Sequence, residues 1–121
     1  MLNAKTESTA YKVITQDDLD VQTATVTSNG ITINLWKSGH VVNANINQTG
    51  TVSKSGYNSG LATIPEGFRP IEQQLIYYTG IAGASTNGNG KWYINTDGSV
   101  GDFSTTTGNI ERNASATWIT N

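Results

Sequence analysis

His40 is the chain's single histidine, so any Ser-His-Asp chemistry would have to run through it. It lies two residues after Ser38, beside a predicted hairpin turn, which is too close for that serine to be a poised nucleophile, and no G-x-S-x-G occurs. An exposed turn histidine is the plainer reading. Asp97 and Asp102 flank a second predicted hairpin and could approach each other as glycosidase carboxylates must, yet Asp97-Gly98 reads more simply as a turn pair. Asp17, Asp18 and Asp20 form a loose acidic group that one histidine and no cysteine do not complete as a metal site. The Gly-rich stretch NGNG at 87–90 lacks the lysine and the following helix of a phosphate loop. The sequence thus offers no catalytic set, no metal site and no cofactor motif.

What it does offer is recognition chemistry. Sugars present apolar C–H faces and many hydroxyls, which aromatic rings and Asn, Asp, Arg or His side chains complement. Trp36 falls on the polar side of a predicted hairpin with His40, Asn34 and Asn43. Trp92 opens a later strand, near Asn95. A large aromatic on a polar face suggests a ligand or protein interface. The competing reading covers each tryptophan with a neighbouring strand, and it fits Trp118, in the closing strand, best.

The elements that must position these groups are strands. The chain has 121 residues, enough for one domain. Hydrophobic residues are 36% and charged residues only 13%, with Gly, Ser, Thr and Asn filling the difference. Helix formers are scarce, and β-branched and aromatic residues accompany abundant turn formers. Three tryptophans and five tyrosines can bury enough area to argue against disorder. Residues 1–22 are expected to form an N-terminal arm, with a turn of helix or a short connector at 11–22 on the capping spacing of Thr15 and Asp18. Residues 23–121 are expected to form an antiparallel β-sandwich or jelly roll.

The clearest piece is ITINLW (31–36) and VVNANIN (41–47) around Ser38-Gly39. A register pairing Trp36 with Val41 puts Ile31, Ile33, Leu35, Val42, Ala44 and Ile46 on one face. The opposite face holds Thr32, Asn34, Trp36, Val41, Asn43 and Asn45. Residues 50–70 read as a looping path between sheets. QQLIYYTGI (73–81), apolar on both faces, reads as a central or interface-covered strand. Residues 83–90 read as an exposed loop. KWYIN and SVGDF around TDG read as a second hairpin, 104–113 as another loop, and 116–120 as the closing strand.

The seven basic residues are scattered and net charge is −2, which disfavours a nucleic-acid partner. No apolar run is long enough to span a membrane. With no cysteine, disulfides and thiol chemistry are excluded.

Across residues 50–103 the chain resembles the C-terminal receptor-binding heads of tail and baseplate proteins from phages of Gram-positive, lactic acid bacteria. The residues that carry this are the hairpin NGITINLWKSGHVVNANI, the turn Ile64-Pro65-x-Gly67-Phe68-Arg69-Pro70, the pair Asp97-Gly98 and the aromatic strand around Trp118-Ile119. The likeness extends over roughly residues 30–120. It implies a homotrimeric β-sandwich at the virion's tail tip that adheres to bacterial cell-surface polysaccharide without cleaving it and contacts other tail or baseplate proteins. It also implies a sugar crevice lined by Trp, His, Asp and Arg. Trp92, Asp102 and Arg112 join the saccharide-binding candidates on residue type and late position. The rival expectations are a structural baseplate or tail-decoration module and a monomeric carbohydrate-binding insertion of a larger tail protein. The Ile64–Pro70 turn is expected to be structural, with Arg69 bonding backbone carbonyls.

Overall fold

Strict alternation of apolar and polar residues along 31–35 and 42–47 demands a sheet with one buried side, and the computed structural model supplies it. The structure describes residues 20–49, 51–52, 56–82, 85–104, 108–109 and 111–121. The first sheet has the order β1-β2-β3-β10, built from Gln22–Ser28, Ile31–Ser38, Val41–Gln48 and Arg112–Ile119. The second has the order β5-β8-β7-β6, from Gly56–Thr63, Ser99–Ser104, Ser85–Ile94 and Gln74–Ala82. A short ribbon pairs β4 (Thr51–Val52) with β9 (Gly108–Asn109). All these pairings are antiparallel, and the two sheets face each other as the expected all-β sandwich. The described residues contain no helix. The helical turn or connector expected at 11–22 lies almost wholly outside the described residues, and its last residue, Gln22, opens β1.

The core is continuous between the sheets. From the first come Ile31, Ile33, Leu35, Val42, Ala44, Ile46 and Trp118, and from the second Ala62, Ile76, Tyr78, Trp92, Ile94 and Val100. The inner face expected of the first hairpin is therefore correct residue for residue. Its register is not. Ser38 pairs with Val41 and Trp36 with Asn43, two residues away from the expected pairing. The turn is Gly39-His40, with Gly39 at φ 59°. A slip of two keeps every side chain on its own face, so burial parity could not detect it; a glycine first in a two-residue turn decides it. The preceding hairpin closes on Asn29-Gly30, both at positive φ (52° and 77°), as a type I′ turn requires.

Four other segments differ from expectation. Residues 56–63 are a strand, β5, although its register shifts between Asn58 and Ala62. The expected loop at 83–90 is strand from Ser85 onward, because β7 runs alongside β6; cross-strand pairing overrides the Gly/Asn composition. β6 is an edge strand of its sheet rather than a central one. It buries Ile76 and Tyr78 and exposes Leu75 and Tyr77. The expected loop at 104–113 contains the end of β8, β9 and the start of β10.

The Ile64–Pro70 segment carries the chain from one edge of the second sheet to the other and locks onto the first sheet on the way. Arg69 Nε donates to the Ile64 carbonyl at 2.9 Å. The Trp118 indole N–H donates to the Phe68 carbonyl at 2.7 Å, and Lys37 Nζ donates to that of Gly67 at 2.8 Å. Pro70 bridges Thr120. Trp118 is buried core, as its place in the closing strand predicts.

Candidate functional site

The seven candidate residues separate into an interior group and an outer-face group. Trp92 and Asp102 are cross-strand partners on β7 and β8. They share inward parity with Ile94 and Val100, so both point between the sheets. Trp92 is fully buried. Its indole N–H reaches across to Gln48 Oε1 at 3.1 Å, and its ring lies 4.5 Å from that of Tyr78. Asp102 and Arg112 do meet, Nη1 to Oδ2 at 3.1 Å, but at 1–2% exposure. Asn58 Nδ2 donates to the other carboxylate oxygen at 2.8 Å. These contacts tie β10 and β3 of the first sheet to β8 and β7 of the second. Trp92, Asp102 and Arg112, expected among the saccharide candidates, form a buried polar cross-link in this structure. Asn95 is also committed locally, donating to Ser99 Oγ at 2.9 Å and accepting from Gln73 at 2.7 Å.

Burial pushes the Asp102 carboxyl above the usual carboxylate range, outweighing the opposing effects of Asn58 and the Arg112 guanidinium. Asp97 goes the other way. The Ser99 hydroxyl and backbone N–H, at 2.7 and 2.9 Å, hold its carboxyl below the usual range, which is what a turn cap does. A pH dependence follows. Asp102 binds its proton more tightly folded than unfolded, so its contribution to stability is complete below the unfolded value of about 3.9 and is lost as pH rises through the raised folded value. Urea titrations of the wild type and Asp102→Asn across this window should show a fall in stability with rising pH that the variant largely lacks. A carboxyl titration midpoint for Asp102 at or below the ordinary value would contradict this account.

Trp36, Asn43 and His40 remain at the surface. Trp36 is 42% exposed on the outer face of the first sheet. The pairings arrange that face into rows: Thr23, Trp36, Asn43 and Thr117; then Thr25, Asn34, Asn45 and Ser115; then Thr27, Thr32, Asn47 and Asn113. Neighbours in a row stand on strands about 4.8 Å apart, and successive rows are about 6.8 Å apart. Thr25 Oγ1 donates to Asn34 Oδ1 at 3.1 Å and Thr117 Oγ1 to Asn43 Oδ1 at 2.7 Å. Each bond fixes an amide so that its oxygen is engaged and its N–H2 group is turned the other way. Trp36, Asn43, Asn45, Ser115 and Thr117 line a shallow depression of about 440 Å³ on this face. His40 is exposed in the turn joining β2 and β3, and its carbonyl accepts from Thr120 N–H at 2.9 Å.

Comparison with protein families and with curated proteins finds no match to this chain.

The outer face of the second sheet has a different character. One cross-strand row holds Tyr77, Lys91, Phe103 and Tyr57. Tyr57 and Phe103 meet edge to face at 4.8 Å, and Lys91 Nζ lies 5.8 Å from the Tyr77 ring centroid. Tyr77 is 71% exposed and Tyr57 63%, with Leu75 in the adjacent position. Among the described residues no group of three or more His, Cys, Asp or Glu is placed to hold a metal ion. Nor is any helix long and apolar enough to cross a membrane. The arrangement can hold hydroxylated or aromatic surfaces; Asn45 shares the face expected for Trp36, while the outer residues Thr117 and Ser115 that complete the patch are not among the expected site residues. Their signal was available: they alternate with Ala116 and Trp118, which are inward or partly buried.

Proposed function

We propose that this domain is the receptor-binding head of a phage tail or baseplate protein, which holds a saccharide of the bacterial cell surface without cleaving it. The observation that carries the reading is Trp36, a large exposed indole set among amides and hydroxyls in register. A pyranose laid on the indole uses its C–H face, and its hydroxyls meet the Asn43, Asn45, Ser115 and Thr117 side chains. The resemblance of residues 50–103 to such heads supplies the biological setting: a homotrimer at the tail tip, in contact with other baseplate proteins and acting outside the host cell. On this reading the domain works as an adhesin and not as a depolymerase.

A second reading is favoured by the outer face of the second sheet. Exposed Tyr57, Leu75 and Tyr77 form the kind of apolar surface that protein partners cover, which suits a structural module making contacts only within the virion. Calorimetric titration with wall polysaccharide from Gram-positive bacteria separates the two. Trp36→Ala should weaken binding about 10-fold to 100-fold, as expected for loss of a central aromatic anchor, while the unfolding midpoint stays near that of the wild type. A correctly folded wild-type domain that binds none of the wall polysaccharides would defeat the adhesin reading. A reducing-end assay on the same mixtures should find no new ends.

A further inference from the structure

Along one side of the sandwich the edge strands β6 and β10 border a cleft of about 860 Å³. Tyr77 and Lys91 enter it from the outer face of the second sheet, Tyr78 from the inner face, and Asn113 and Ser115 from β10. Two features set it apart from ordinary surface. First, Tyr78 is 6% exposed, yet its hydroxyl has no hydrogen-bond partner. Buried hydroxyls are nearly always satisfied, and one without a partner calls for an explanation. The ring cannot turn away to find one. It is held against Trp92 at 4.5 Å and lies 5.5 Å from the Arg112 guanidinium. Only a glycine fits at position 90 beside the hydroxyl, since a Cβ there would come within 2.5 Å of both Tyr78 Oη and the Phe103 carbonyl. Second, among the described residues the only charged side chain lining the cleft is Lys91, in a chain of net charge −2. Arg112, behind the wall, is already paired with Asp102. The cleft is therefore locally positive, and it carries a buried O–H that lacks an acceptor.

We propose that this cleft binds an anionic group borne on a polyol or sugar, a carboxylate or a phosphate, with the anion near Lys91 and the Tyr78 hydroxyl donating into the ligand. Tyr77 gives the ligand an apolar wall, and Asn113 and Ser115 meet its hydroxyls. The source of such a ligand rests on the saccharide-adhesion reading; the site shares Ser115 with the Trp36 depression but does not need Trp36 itself.

The test is an amide NMR titration of the full chain with glucuronate, glycerol phosphate and inorganic phosphate, against glucose and glycerol as neutral counterparts. The acidic ligands should shift the amides of Tyr77, Lys91, Asn113 and Ser115 and bind at least about 10-fold more tightly than the neutral ones. Preference for glucuronate or for glycerol phosphate tells a carboxylate site from a phosphate site. Lys91→Gln should weaken binding about 10-fold and Tyr78→Phe about 5-fold. Tyr78→Phe should leave the unfolding midpoint unchanged or raised, because the hydroxyl it removes has no partner in the unliganded chain. The proposal is overturned by absence of shifts with every acid, by equal affinity for neutral ligands, or by full binding in both variants. Inorganic phosphate binding as tightly as glycerol phosphate would overturn the polyol part. Wall-polysaccharide binding that is lost in Trp36→Ala and intact in Lys91→Gln, with no acid shifting the cleft amides, would overturn the cleft and leave the adhesin standing. Anion binding here without wall-polysaccharide binding would do the reverse.

Discussion

Asp102→Ala should destabilise the domain by about 3–5 kcal/mol, because it leaves the Arg112 guanidinium buried and unpaired. That is a large part of the roughly 5–15 kcal/mol that holds a domain of this size together. Arg112 has little else to turn to: it is 1% exposed, and its Nε already lacks a partner. The pair nevertheless contributes little over an apolar substitute. The Asp102 carboxyl sits above its ordinary range despite a guanidinium 3.1 Å away, which means that desolvation exceeds the attraction. Asp102→Leu combined with Arg112→Met should therefore recover most of the loss seen in Asp102→Ala, a non-additivity that denaturant melts of the single and double variants would measure. Additive losses would show that the ion pair stabilises in its own right. If the double variant recovers, the pair's role is to specify how the sheets face each other, since Arg112 on β10 can meet a carboxylate at only one place on β8.

The second large effect concerns Trp92. Trp92→Ala should cost about 3–5 kcal/mol, since it empties the largest fully buried side chain in the described core. Trp92→Phe refills most of the volume but strands the Gln48 amide oxygen, whose contact with the indole crosses between the sheets; a cost of about 1–3 kcal/mol remains. Adding Gln48→Leu to Trp92→Phe should then return stability, as removal of both partners is close to neutral. Neither substitution should alter saccharide binding at the Trp36 face, because Trp92 is fully buried between the sheets. A selective loss of binding in Trp92→Phe with unchanged stability would show that the indole reports on a ligand after all.

Much of the fold was legible because a strand's period is two. Ile31, Ile33, Leu35, Val42, Ala44 and Ile46 declare one inner face, and all are buried. The same period hid the register, because an even slip leaves each face intact and only the chemistry of Gly39-His40 could correct it. The Asn29-Gly30 pair, with both residues at positive φ, carries the stronger hairpin signal. The second hairpin also carries the burial of two candidate residues. With its turn at 95–98, Trp92 and Asp102 must share the face of Ile94 and Val100, so both are interior. Residue type pointed toward sugar, and alternation pointed toward the core. The cleft could not be read in advance. Tyr77, Tyr78 and Lys91 meet Asn113 and Ser115 only because β6 and β10 end up side by side at the sheet edges, a long-range consequence of topology. The strand character of 85–90 was likewise invisible locally, since it comes from pairing with β6 and not from its own Gly and Asn.

The central claim is that the outer face of the first sheet holds cell-surface saccharide through Trp36. It is tested most directly by mapping wall-polysaccharide fragments onto the 15N-labelled domain by NMR. The account predicts that the Trp36 indole N–H and the side-chain amides of Asn43 and Asn45 shift together and saturably. Shifts confined to Tyr57, Leu75 and Tyr77 on the opposite sheet, or no saturable shift with any fragment, would contradict it.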